Sequence, residues 1–332
     1  MEIVVSGIRP TGNLHLGNYF GAVKSFVKMQ HEYQCFFFIA DWHSLTTHPR
    51  PADLHQSVNT ILAEYLACGL DPEIATLYLQ SDVREVAELY LYLNMNAYLG
   101  ELQRVTTFKE KVRAQPENVN AGLLTYPTLM TSDIIIHRAV KVPVGKDQEQ
   151  NMEMARKFAR RFNQIYDVEY FPEPAPFHFT DKAVKVPGLD GTGKMGKSEG
   201  NAIYLVDDEK TIHKKVMRAV TDAGPTEPDS PKPEPILNLF TMMEIVSGKD
   251  TYNYYNDKYN TCAIRYGDMK KQLAADINAF CAPIRERINE LIADEIYLEK
   301  VIRTGAEKAT ASAAQTLNDV RRIIGFSVIG KN

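Results

Sequence analysis

CFFFIA at residues 35–40, closed by Asp41, is the stretch that decides the fold. Six unbroken apolar residues suit a strand and fall short of a helix. A strand apolar on both sides must be covered on both faces, which is the condition of a parallel sheet inside an α/β protein. Outward from it, Ile3-Val4-Val5 before Ser6-Gly7, TLYL at 76–79 before Gln80-Ser81, and residues 140–144 read as three further strands. Helical patterns fill the intervals, near 15–30, 52–68, 84–99, 126–138 and 147–163. Such alternation predicts an α/β fold with a Rossmann-like, doubly wound parallel sheet. Ligands of these sheets bind beyond the carboxyl ends of the strands, near a topological switch point. A site is therefore expected just after Val5, Ala40, Leu79 and Val144.

The second half changes character. Residues 224–235 read GPTEPDSPKPEP, five prolines in twelve residues, a stiff exposed connection. Beyond it, Met269, Leu273, Ile277, Phe280, Ile284, Ile288 and Leu291 step by three or four and form one apolar stripe of a long helix, with a bend expected at Pro283. Thr304 and Glu307 have the spacing of a capping box for a last helix ending near Gly325. The expected organisation is a catalytic α/β domain over 1–190, then a mobile loop and a C-terminal α-helical domain over 191–332.

Composition narrows the function classes. The 332 residues are 44% hydrophobic and 24% charged, which excludes a disordered chain, a collagen and a coiled-coil rod. A membrane helix needs about 20 apolar residues, so no membrane association is expected. The opening MEIVVSG lacks the basic segment of a secretory signal, and a cytoplasmic protein is expected. Four cysteines, at 35, 68, 262 and 281, include no CxxC pair and read as buried apolar residues or thiols, with no metal site implied. A net charge of -4 argues against a nonspecific nucleic-acid binder while leaving room for a selective RNA partner.

Residues 191–198, GTGKMGKS, match the P-loop pattern letter for letter. The context does not: Pro187 and Gly188 break any preceding strand, and Gly200-Asn201 oppose a following helix. A glycine-rich cationic loop that closes over a polyphosphate is the better reading. At the other end, TGNLHLGNYFG (11–21) follows the first strand. His15 and Asn18 stand three apart where a helix begins, and a helix start attracts phosphate. Gly17 between them offers a flat surface for an adenine ring.

HLGN at 15–18 with KMGKS at 194–198 resembles the two signatures of class I aminoacyl-tRNA synthetases. IADWHSLT, GELQRVTTFKEK, AGLLTYPTLMTSDI, VPVGKDQEQ, AVTDAG and GAEKA occur in the order and spacing of the bacterial-type tryptophanyl branch, over about residues 3–330. Asn18 replaces the final histidine of the first signature, Gly196 stands where the family usually has serine, and Arg9 where many relatives have glutamine.

The pocket can be read chemically. Tyr126, Met130 and Asp133 fall at i, i+4 and i+7 of one helix, with Pro127 expected in its first turn. Met130 conforms to a wide ring where tyrosyl enzymes have glutamine. Asp133 accepts an indole N–H. The resemblance implies that Tyr126 and Gln148 hold the substrate ammonium group, with His43, Val5, Gly7, Val142 and Val144 lining the slot. It implies ATP contacts by Arg9, Pro10, Thr11, His15, Gly17, Asn18, Gly145, Asp147, Val186, Met195 and Gly196. Lys194, Lys197, Ser198 and Lys111 would carry catalysis by stabilising phosphate charge, with Mg²⁺ held through the ATP phosphates and no protein metal site. The implied partners are L-tryptophan, its tRNA and a second copy of the chain.

Overall fold

The computed structural model describes residues 1–145, 148–177, 185–191, 193–197 and 199–326. Strands β1 (Ile3–Ile8), β2 (Gln34–Ile39), β3 (Thr76–Leu79), β4 (Lys141–Pro143) and β5 (Ala175–Phe177) form one sheet in the order β3-β2-β1-β4-β5. Every pairing is parallel. The chain winds from β1 through β2 to β3, then returns to the far side of β1 for β4. The switch point therefore lies between the carboxyl ends of β1 and β4.

The reading of residues 35–40 holds in detail. Cys35, Phe37 and Ile39 enter one core, while Phe36, Phe38 and Ala40 enter the other. Period two sends alternate side chains to opposite faces, and both faces are covered. Each fully buried phenylalanine contributes about 1.5–3 kcal/mol.

Several boundaries differ from expectation. β5 has only three residues, with Pro176 central, and pairs with β4 alone. Proline without an N–H is confined to such edges, and so short a run carries no readable period. The helix expected over 126–138 spans Ala121–Ile135, because the Asn120 side chain accepts the Leu123 N–H and starts it earlier. Pro127 thus lies inside the helix rather than in its first turn. The last helix spans Glu295–Ile324, capped by Asp294 accepting the Tyr297 N–H. Thr304 and Glu307 are mid-helix, so they form no capping box; Gly325 closes the helix with φ 90°, as expected.

The stripe helix spans Tyr266–Ala293 and continues through Pro283. The proline-rich connection precedes helix Glu234–Val246 and is largely exposed. Helix Glu295–Ile324 returns across the sheet. A Cβ on Gly305 would lie 1.7 Å from the Leu77 carbonyl oxygen, so helix and β3 touch backbone to backbone there. Arg321 pairs with Glu88 and ties the end of that helix to helix Glu85–Met95.

Candidate active site

A cavity of about 320 Å³ opens at the switch point. β1 contributes Val5 and Gly7, the end of β4 contributes Val142 and Val144, and helix Ala121–Ile135 contributes Tyr126, Met130 and Asp133. His43, from the turn Asp41–Ser44 after β2, and Gln148, before helix Glu149–Ile165, complete the wall. All nine residues expected around the amino acid thus meet at one cavity. Arg9, Asn18 and Gly145 line it too. Asp147 and Ser198 lie outside the described residues.

Asp133 is 2% exposed at the wall. Its Oδ2 lies 2.8 Å from His43 Nε2 and its Oδ1 lies 2.7 Å from Gln80 Nε2. Burial pushes this carboxyl above the usual carboxylate range, and the His43 and Gln80 contacts oppose the push. Gln80 was absent from the expected set. Its signal was positional: it is the first residue after β3, at a strand's carboxyl end.

The signature loop forms by local chemistry. His15 caps the first helical turn, Nδ1 accepting the Asn18 N–H, while Asn18 Oδ1 accepts the His15 N–H. The turn runs into a π-helical segment, Tyr19–Val23, and then into helix Lys24–Met29. Since Nδ1 accepts, the neutral ring carries its proton on Nε2. Burial, then the charges of Lys197 and Lys194, lower the His15 pKa to about 4, so at neutral pH it is an uncharged donor. Gly17 passes under the ring: a Cβ there would sit 2.8 Å from His15 Nδ1 and 3.5 Å from Met195 Cβ.

The second signature docks on the first. Met195 is buried in the core shared with Leu14 and Leu16. Lys197 Nζ donates to the carbonyls of Thr11, at 3.1 Å, and Gly12, at 2.7 Å. Asn201 staples the loop, Oδ1 accepting the Gly196 N–H and Nδ2 donating to Asp190. No helix follows the loop before Glu209 and no strand runs into it among the described residues, so the P-loop match is a coincidence of letters. Lys194 is exposed, Val186 and Pro10 are buried beside the loops, and the Val186 carbonyl accepts the Met195 N–H.

The rim is cationic. Lys111, in helix Thr106–Ala114, sits 4.3 Å above the Tyr126 ring. Burial and then Arg9 hold it below the usual lysine range. Arg9 Nε is buried without a partner. Burial likewise lowers Lys197, with Glu64 opposing. Crowded cations with few counter-charges suit an anionic ligand. Among the described residues no cluster of three acidic, histidine or cysteine side chains could hold a metal ion, and no helix is long and apolar enough to cross a membrane.

A parallel sheet with a switch-point cavity, a histidine-capped first turn and a docked cationic loop, followed by helices, is the Rossmann-like architecture of the class I aminoacyl-tRNA synthetases. The model of the class I tRNA synthetases for tryptophan and tyrosine matches residues 2–282, and the chain belongs to that family. A tryptophan–tRNA ligase of Porphyromonas gingivalis is 74% identical over 326 residues, covering 98% of this chain and 100% of that one. One from Fusobacterium nucleatum is 40% identical, covering 98% of each chain. The crystal structure of the Campylobacter jejuni tryptophanyl-tRNA synthetase with ADP and tryptophan superposes with a TM-score of 0.89 at 35% identity, covering 98% of this chain and 100% of that one.

Proposed function

We propose that this chain is a tryptophan–tRNA ligase. The tryptophan carboxylate attacks the α-phosphorus of ATP, forming tryptophanyl-adenylate and releasing pyrophosphate. The 2′-hydroxyl of the terminal tRNA ribose then attacks the activated carbonyl carbon, and AMP leaves. The first step needs no protein nucleophile, because the substrate brings its own anion. Catalysis is positioning plus stabilisation of phosphate charge. Lys197, Lys194 and Lys111 supply cations at the rim, Ser198 a hydroxyl, and the neutral His15 a donor at the start of the first helix. Lys197 rests on two backbone carbonyls, contacts it can exchange for phosphate oxygens as charge develops, which raises the rate rather than ground-state affinity. Mg²⁺ would be held through the ATP phosphates rather than by protein side chains, and would supply neutralisation of their charge. Asp147, just past β4, accepts from the ribose.

The single observation that carries the tryptophan assignment is Asp133. A buried carboxylate ends an apolar slot in which Met130 stands, a residue that offers a phenol no hydrogen bond. A hydrogen bond to such a charged group contributes about 1.5–3 kcal/mol, and a side chain unable to donate forfeits it.

Residues 191–332 are read as the loop and the helical, anticodon-recognising part. Lys214 and Arg218 are exposed there, whereas Lys215, Arg285 and Arg321 bond internally to Asp207, Asp207 and Glu88. A homodimer is supported by the exposed apolar side chains Leu91, Met95, Tyr98 and Leu99, and the cytoplasm is the compartment that supplies the substrates. Pyrophosphate–ATP exchange tests the reading: it should require tryptophan and Mg²⁺. Equal exchange with tyrosine would overturn the assignment.

A further inference from the structure

Gln80 stands behind the amino-acid end of the cavity, outside its lining and 1% exposed. Its Nε2 is 2.7 Å from Asp133 Oδ1, while its Oε1 has no hydrogen-bond partner. Turned over, the amide would press its oxygen against a carboxylate, so the nitrogen faces Asp133. On the far oxygen, His43 Nε2 stands at 2.8 Å. An ionised Asp133 is thus bracketed from two different strand ends, by the Gln80 amide, which donates, and by His43 Nε2, which donates in the tautomer protonated there.

We propose that Gln80 is a specificity-determining positioning residue, which holds Asp133 as an ionised acceptor aimed at the ring N–H of the substrate. The proposal rests on the reading of Asp133 given above. Burial and the nearby Asp41 charge favour a proton on this carboxyl. A protonated carboxyl needs an acceptor for its O–H; the Gln80 amide nitrogen offers none, and His43 offers none in the tautomer that carries its proton on Nε2. The Gln80 donor, with His43 protonated on Nε2, therefore favours the acceptor-only form. Each donor occupies one lone pair of one oxygen, leaving capacity for a third donor from the cavity side. Among the described residues, Tyr78 on β3 and Asp41 and His43 after β2 are the titratable groups that act on Asp133, and both Lys111 and His43 contact the Tyr126 ring. A phenylalanine-like or sulfur-containing ring, having no N–H, would leave the bracketed carboxylate without its third partner.

Pyrophosphate–ATP exchange with tryptophan and with 3-benzothienylalanine, in which sulfur replaces the ring N–H, tests this on the full chain. The parent should prefer tryptophan by about tenfold or more in kcat/KM. Gln80→Met keeps the volume and removes the donor. Its KM for tryptophan should rise about tenfold with kcat little changed, and its preference should shrink to within about threefold. Gln80→Glu is the second variant and decides alone if the methionine protein does not fold. Two carboxyls at this distance share one proton, so at about pH 6 the shared O–H replaces the amide donor and preference persists. Toward about pH 9 the proton leaves and preference falls, while the parent stays flat. Opposed behaviour of the two variants supports the proposal. Losses that strike both substrates alike at every pH, or preference retained in both variants, overturn it while leaving the Asp133 reading intact. A parent that does not prefer tryptophan overturns that reading and the proposal with it.

Discussion

Glu64 offers a perturbation whose size follows from the structure. It lies in helix Pro51–Ala67 at 0% exposure, both carboxylate oxygens 3.0 Å from the Leu14 N–H at the root of the signature loop. Burial raises its pKa from 4.5 to about 7, against the lowering influence of the Leu14 N–H and of Lys197. Between those two values the folded chain keeps a proton that the unfolded chain has lost. Stability therefore falls as pH rises through that window and is level above it. The difference between the two values amounts to about 3 kcal/mol. Glu64→Gln abolishes the titration and keeps an acceptor for Leu14. Relative to the parent, the variant should gain about 3 kcal/mol between about pH 4.5 and pH 8. A constant cost from the buried amide NH₂ displaces the whole curve without altering its slope. Urea unfolding of both proteins in parallel across this range measures the difference. Parallel curves, or a variant that loses stability relative to the parent as pH rises, would refute the reasoning.

Other outcomes follow from the same geometry. Lys197→Ala should lower kcat for exchange about 10²- to 10³-fold and leave the tryptophan KM nearly unchanged, since Lys197 stands outside the cavity lining; a matching rise in KM would count against its role on the phosphates. Asp133→Asn replaces the charged acceptor by a neutral amide and should raise the tryptophan KM about 10- to 100-fold; an unchanged KM would show that the ring N–H goes elsewhere. Gly188→Ala puts a Cβ 2.1 Å from Asn201 Nδ2, the side chain that staples the loop, and should depress kcat more than tryptophan affinity in the same assay. Among the described residues, a Cβ at Gly196 meets only Glu199 Cγ, at 3.5 Å, so Gly196→Ser has room there. It should raise stability in parallel urea unfolding by roughly 0.4–1 kcal/mol, and a loss of stability would mean that the loop backbone needs glycine there.

What the sequence revealed and what it hid have physical reasons. The strand at 35–40 and the stripe at 269–291 were legible because burial on a regular lattice writes its period into the chain. β5 was not, because three residues centred on a proline carry no period. The start of helix Ala121–Ile135 was misplaced because Pro127 is a stronger textual signal than Asn120, yet capping geometry starts the helix. Thr304 and Glu307 had capping spacing by accident, and only the break at Asp294 shows where the helix begins. The cavity wall was readable from strand ends and the i, i+4, i+7 face. Gln80 and Asn201 were not, because each acts through a partner distant in sequence: Gln80 on Asp133, 53 positions away, and Asn201 on the inner edge of a loop that only the fold closes.

The central claim is that Asp133 receives the ring nitrogen of tryptophan. A crystal structure with tryptophan and a non-hydrolysable ATP analogue bound tests it most directly. The account predicts the indole nitrogen about 2.7–3.2 Å from an Asp133 oxygen, with Gln80 and His43 still in place behind it. An indole nitrogen turned to any other group, with Asp133 touching only protein, would contradict it.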